Sequence, residues 1–101
     1  MDNIVLVEGD FKSTVPNFFS TYNGKILACN IDSDLYDGYN LILPYVYERL
    51  VNQGYIHLDE YYSFKYPGAK IATDNFVKKT GAILSQQKPR DGEFPRFYIT
   101  K

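Results

Sequence analysis

Among its 101 residues the chain has no tryptophan, one cysteine, one methionine and one histidine. The lone Cys29 excludes an internal disulfide, so this is not a small secreted domain held by cystines. With single Cys and His residues there is no Cys-His pairing with a case behind it, and no Ser-His-Asp arrangement stands out. Excess positive charge is also missing. Eleven Lys and Arg face twelve Asp and Glu, a net charge of −1, which argues against nucleic acid or an anionic membrane surface as partner. No apolar run approaches the roughly 20 residues of a membrane span, and the opening residues lack the charged and apolar regions of a signal peptide. These absences lead us to expect a cytoplasmic protein. Gly9, Gly24, Gly38, Gly54 and Gly68 are isolated single glycines, so no glycine-rich phosphate loop is present.

What the chain does have is enough apolar material for one core. It is 45% hydrophobic and 23% charged, a globular rather than a disordered composition. A chain of this size forms one small domain and buries roughly two thirds of its unfolded surface. Aromatic residues reach 17%, with ten tyrosines, and some of that excess, notably Tyr61 and Tyr62, falls outside the expected core.

Strands and helices alternate along the chain. "NIVLVEGD" carries an apolar run over residues 4–7 that stops at an acidic end, a buried strand by pattern. "STVPNFF" predicts a short helix capped by Ser13 or Thr14, with Phe18 and Phe19 turned inward. Asn23-Gly24 marks a turn, and "KILACNID" predicts a strand apolar on both faces. A helix is expected over residues 39–51, with Leu43, Val46, Tyr47 and Leu50 on one face. Pro44 suits only a first turn, which would start the regular helix near Leu43. Gly54 is the expected left-handed residue behind it. "YIHLDEY" predicts a third strand and Pro67-Gly68 a further helix, in which Ala69, Ala72 and Phe76 share a face and which Gly81 ends. "AILSQQ" and "RFYITK" predict a terminal antiparallel hairpin. The order β-α-β-α-β-α-β-β implies an α/β sheet, parallel first and antiparallel at its end.

Ligands in such sheets sit beyond the carboxyl ends of the strands. Three predicted strands end in acid: Glu8 and Asp10, then Asp32 and Asp34 in "IDSDLYDGY", then Asp59 and Glu60. If the second and third strands pair, Asp32 and Asp59 lie on axes about 5 Å apart. Carboxylates that converge repel one another unless they bind a cation or share a proton. Oxygen-only ligands suit Mg²⁺ or a similar hard ion. The plain alternative is that each carboxylate caps a helix or faces water. Asp37 fits a cap, and Asp34 fits the loop. His57 alternates with Ile56 and Leu58, which suggests a hydrogen-bonded core histidine, and Cys29 reads as inert core.

"VEGDFKSTVP", "IDSDLYDGY", "LVNQGYIHLDEYYSFKYPGAKIATDNF" and "FYITK" together resemble the C-terminal half of the macrocin O-methyltransferase (TylF-type) family, class I S-adenosylmethionine-dependent enzymes that methylate sugar hydroxyls on macrolides and related small molecules. The likeness runs in order over nearly the whole chain. It implies an α/β, partial Rossmann-like methyltransferase sheet, with parallel strands, an antiparallel C-terminal strand and helices on both faces. It implies Asp32, Asp59 and Glu60 as Mg²⁺ ligands, with Asp32 the catalytic position. Where the family commonly has Asp-Asp, this chain has Asp59-Glu60. A catechol-type lysine base is not implied, because that position is Leu35. Gly9, Asp10 and Phe11 match the adenine-side contact of the cofactor, and Tyr36, Tyr61, Tyr62 and Lys65 lie where they could touch a sugar or other small-molecule hydroxyl acceptor. The family's glycine-rich loop and ribose-binding carboxylate have no counterpart in this sequence. The expectation is therefore a fragment, inactive alone, whose partner is the missing N-terminal half or a second copy joined through sheet edges. A non-catalytic remnant or a subunit of a split enzyme is an alternative. So is a glycosyltransferase that uses Asp32-Ser33-Asp34 as an Asp-x-Asp motif.

Overall fold

The computed structural model describes residues 4–32, 36–59, 61, 67–87, 91–92 and 96–101. Helix α1 (Phe11–Thr21) leads into strand β1 (Ile26–Ile31), then α2 (Tyr36–Arg49), β2 (Leu50–Leu58), α3 (Pro67–Thr80), β3 (Ile83–Gln87) and β4 (Arg96–Thr100). The four strands form one sheet in the order β1-β2-β4-β3. β1 and β2 are parallel, with Cys29 beside Ile56 and Ile31 beside Leu58. β4 runs antiparallel to β2, placing Ile99 beside Ile56, and β3 runs antiparallel to β4. The sheet is thus parallel first and antiparallel at its end, as the sequence pattern implies.

Period-two alternation divides the sheet into unlike faces. Ile31, Ile56, Leu58 and Ile99 are buried beneath α2, where Tyr39, Leu43 and Val46 meet them. Each fully buried side chain of this size stabilises the fold by about 1.5–3 kcal/mol. α3 packs on α2 through Ala69, Ala72 and an edge-on contact of Phe76 with Tyr47. α1 packs on α2 as well, with Phe19 stacked on Tyr45 and Arg49 reaching the carbonyls of Phe19 and Tyr22. The opposite face, with Asn30, Tyr55, His57, Tyr98 and Gln87, carries no helix among the described residues. There, Gln53, Tyr55, His57, Gln87, Tyr98 and Thr100 line a shallow groove of about 460 Å³. Helices therefore cover one face of the described sheet, where the sequence reading placed them on both.

Four local expectations are corrected. Residues 4–7 form no strand, and they are exposed. A strand needs a partner for its N–H and C=O groups, and no described strand meets these residues. α1 begins at Phe11, because Asp10 rather than Ser13 or Thr14 is its cap. The Asp10 side chain accepts from the Lys12 N–H, and its carbonyl accepts from Ser13 and Thr14. α2 begins at Tyr36 and keeps Pro44 inside it. The carbonyl deprived of a donor belongs to Asn40, an exposed residue, where water can replace the bond. Behind α2 the left-handed residue is Gln53, at φ 69°, not Gly54. Gly54 answers a different need. A Cβ there would lie 2.9 Å from the Leu27 carbonyl oxygen and from Leu50 Cδ1, so β1 and β2 approach more closely than a side chain permits.

Candidate functional site

One end of the sheet holds three of the expected residues, Asp32, Asp59 and Tyr36. Parallel pairing of Ile31 with Leu58 brings the carboxyl ends of β1 and β2 level. The next residues are Asp32 and Asp59, and the Asp59 N–H donates to the Ile31 carbonyl at 3.2 Å. Asp59 lies beside His57, on the uncovered side of the sheet, with Oδ1 3.7 Å from Nε2, and Asp32 follows the end of β1 as an exposed residue.

The same end holds two helix N-termini. Tyr39, fully buried, donates its hydroxyl to the Ile31 carbonyl at 3.1 Å and ties the start of α2 to the end of β1. Tyr36 opens α2 and is 39% exposed. Gly68 lies against it: a Cβ on Gly68 would sit 2.8 Å from both the Tyr36 nitrogen and its Cβ. The two helices therefore start side by side on the covered face of the sheet. Backbone N–H groups at such ends favour negative charge. Asp37, expected to cap the helix, stands instead inside the first turn of α2, which begins at Tyr36.

Asp32 and Asp59 offer oxygen donors, the chemistry of a hard divalent cation. Among the described residues no cluster of three His, Cys, Asp or Glu side chains forms a metal site. Glu60, the third ligand implied by the resemblance, lies outside the described residues. His57 is not the core histidine its spacing suggested. It is half-buried on the uncovered face, with Nε2 3.7 Å from Asp59 Oδ1. The spacing argument assumed a strand covered on both sides, and β2 is covered on one.

The remaining candidates separate. Tyr61 is buried rather than turned to the site, its ring 4.4 Å from that of Phe97 and its hydroxyl donating to Asp74 Oδ1 at 2.7 Å. Burial, then the Asp74 carboxylate, push its phenol above the usual tyrosine range, while nearby Lys70 works in the opposite direction. The structure thus gives Tyr61 a packing role, holding α3 to the sheet. Tyr62 and Lys65 lie outside the described residues, as does Asp34. Gly9, Asp10 and Phe11 form the entry to α1. Gly9 adopts φ 132°, and a Cβ there would strike Thr14 Cγ2 at 2.7 Å. Cys29 is half-buried, and desolvation raises its thiol pKa, which leaves it protonated and inert. Tyr39 and Gly68 were not among the sequence candidates, although both order the site. The DLYDGY spacing placed Tyr39 on the helix but carried no signal for its bond to β1.

Residues 1–86 match the family model described as Macrocin-O-methyltransferase (TylF). Among solved structures, the chain is similar to the apo form of CalS11, a TDP-rhamnose 3'-O-methyltransferase of calicheamicin biosynthesis. The identity is 26% and the TM-score 0.76, over 93% of this chain and 39% of that one. A second structure of CalS11, a calicheamicin methyltransferase, gives 26% identity and a TM-score of 0.77 over 93% of this chain and 36% of the other. The O-methyltransferase NovP shares the fold, with a TM-score of 0.71 at 23% identity over 90% of this chain and 34% of that one. The chain thus spans well under half the length of these structures. No curated protein sequence gives a significant match. No helix among the described residues is long and apolar enough to cross a membrane.

Proposed function

Because the chain belongs to the macrocin O-methyltransferase family, we propose that it forms the metal- and acceptor-binding part of an S-adenosylmethionine-dependent O-methyltransferase. The acceptor we propose is the hydroxyl of a sugar or sugar-bearing small molecule, by likeness to the TDP-rhamnose 3'-O-methyltransferase. The observation that most supports this reading is the level pairing of Ile31 with Leu58, which brings the strand ends that precede Asp32 and Asp59 next to each other. Asp32, Asp59 and Glu60 would hold Mg²⁺. A bound divalent ion of this kind lowers the pKa of a coordinated hydroxyl and orients it. The protein's own part is positional. Tyr39 fixes the β1 end that carries Asp32, and the Gly68–Tyr36 contact fixes the two helix starts between which an acceptor would enter. Tyr36 would line that entrance, with Tyr62 and Lys65 as further candidates. Glu60, one methylene longer than Asp, keeps the oxygen donors such an ion needs.

Gly9, Asp10 and Phe11 would supply at most the adenine-side contact, since this sequence holds no glycine-rich turn for the cofactor's methionine end. Methyl transfer would then require cofactor-binding residues beyond these 101. A chimera tests this directly: residues 4–101 would replace the matching part of CalS11, and methyl transfer from S-adenosylmethionine to a sugar hydroxyl would be measured. Activity that Asp32→Asn abolishes is the expected result. A folded chimera that binds cofactor and stays inactive toward every sugar acceptor tried would count against the proposal. The glycosyltransferase reading has no comparable support, because the matched family and the similar solved structures are methyltransferases.

A further inference from the structure

Tyr61, Asp74 and Lys70 form a connected group near the end of β2. The Tyr61 hydroxyl donates to Asp74 Oδ1 at 2.7 Å, and the Lys70 ammonium donates to Asp74 Oδ2 at 2.7 Å. The same ammonium lies 5.2 Å from the centroid of the Tyr61 ring. Asp74 stands in the middle of α3, next to Thr73, which is fully buried and donates its hydroxyl to the Ala69 carbonyl. This stretch of α3 packs on α2 through Ala69 and Ala72, so Asp74 is a fixed point. At the other end of the bond, Tyr61 stands two residues after Asp59. Its N–H donates to the Leu58 carbonyl at 3.4 Å and closes a turn over Asp59. Its ring packs on Phe97, the β4 partner of Leu58.

We propose that Tyr61 and Asp74 are positioning residues for the Asp59 carboxylate: their hydrogen bond pins the turn after β2 to α3 and so sets where Asp59 presents its oxygens. The proposal rests on the reading of Asp59 as a cation ligand. Neither Tyr61 nor Asp74 touches the cation. A hard divalent ion takes oxygen donors over a narrow range of distance. A ligand on a turn keeps such a distance only where packing and hydrogen bonds behind it lock the turn. Here that support is α3, itself seated on α2. Burial of Tyr61 removes water as a competitor for its hydroxyl, and an O–H on a carboxylate is among the stronger hydrogen bonds. Lys70 has a lesser part. It pairs with the other oxygen of Asp74 at an exposed position, where an ion pair contributes little.

The test compares Tyr61→Phe, Asp74→Ala, Asp74→Asn and Lys70→Met with the wild-type chain, by Mg²⁺ calorimetry and by amide hydrogen exchange without metal. Loss of a partner bonded directly to a metal ligand weakens binding roughly 10–100-fold; here the effect passes through two residues of backbone, so Tyr61→Phe and Asp74→Ala should each bind Mg²⁺ about three- to tenfold more weakly. The double variant should be no weaker than either single one, because both remove the same bond. Asp74→Asn keeps an acceptor oxygen for the hydroxyl and should bind as the wild type does, as should Lys70→Met. Without metal, the Asp59 N–H, which donates to the Ile31 carbonyl, should quicken in Tyr61→Phe by a larger factor than the Ile56 N–H in the middle of β2. A Tyr61 that only stabilises the fold would quicken both amides alike and leave the Mg²⁺ affinity of the folded protein unchanged, and that result overturns the proposal. So does an Asp74→Asn variant as weak as Asp74→Ala, which would trace the effect to charge alone. A wild type that binds no Mg²⁺ contradicts the cation reading instead, and the exchange comparison then decides by itself whether Tyr61 holds Asp59.

Discussion

Gly68→Ala probes how the candidate site is held together. By helix propensity alone, alanine near the start of α3 should stabilise the protein by about 0.5–1 kcal/mol. The geometry predicts the opposite sign. The added methyl would lie 2.8 Å from the Tyr36 nitrogen, 2.8 Å from its Cβ and 3.1 Å from its Cα. Two of these three atoms are backbone, and the Cβ is fixed to it, so no flexible side chain can swing away. One helix start must shift from the other, and overpacking of this kind costs typically 1–3 kcal/mol. The net expectation is a loss of about 1–2 kcal/mol, or a fall in Tm of several degrees for a domain of this length. Urea unfolding followed by circular dichroism measures it, with an unchanged slope showing that the denatured state is not the cause. Gly81→Ala is the companion. Its Cβ would meet nothing within 4 Å, but its φ of 74° makes alanine strained, so it should cost about 1 kcal/mol without touching the site. Gly68→Ala at wild-type stability or above would refute the close approach of α2 and α3.

Arg49→Met should free α1 from α2 by removing the bonds to Phe19 and Tyr22 and the stacking on Phe19; hydrogen exchange in residues 11–21 should quicken while residues 39–46 keep their protection. Tyr61→Phe should cost about 1 kcal/mol at neutral pH through the lost bond to Asp74. The Tyr61 pKa is raised on folding, so the folded protein holds that proton more tightly; the resulting stability is complete below about pH 10 and lost as pH rises through the folded value, and Tyr61→Phe should flatten that alkaline decline in unfolding experiments. The 101-residue chain should show no thermal shift with S-adenosylmethionine, and tight binding would contradict the assignment of residues 9–11 as a partial adenine contact.

Much of this was legible in the sequence because it rests on periodicity. The alternation through "YIHL" located β2, and small residues at Ala69 and Ala72 located the face of α3 that packs closely. The parallel register needed for Asp32 and Asp59 followed from one strand-helix-strand unit. What periodicity could not supply were the partners. Residues 4–7 have the composition of a strand, but strand formation depends on a neighbour that local sequence does not specify. His57 was misplaced for a similar reason, since burial of one face of β2 says nothing about the other. Pro44 misled because its cost depends on whether the orphaned carbonyl is wet, and Asn40 is exposed. Tyr61 lay next to acidic residues in sequence, yet its ring turned to Phe97 and α3, a packing decision made by tertiary contact.

We propose that carboxylates at the paired strand ends hold a divalent cation. Calorimetric titration of Mg²⁺ into the wild-type chain, Asp32→Asn and Asp59→Asn tests it most directly. The account predicts saturable binding of one ion by the wild type, weakened at least tenfold in each variant, with circular dichroism unchanged. Binding that is absent from the wild type, or equal in all three proteins, would contradict it.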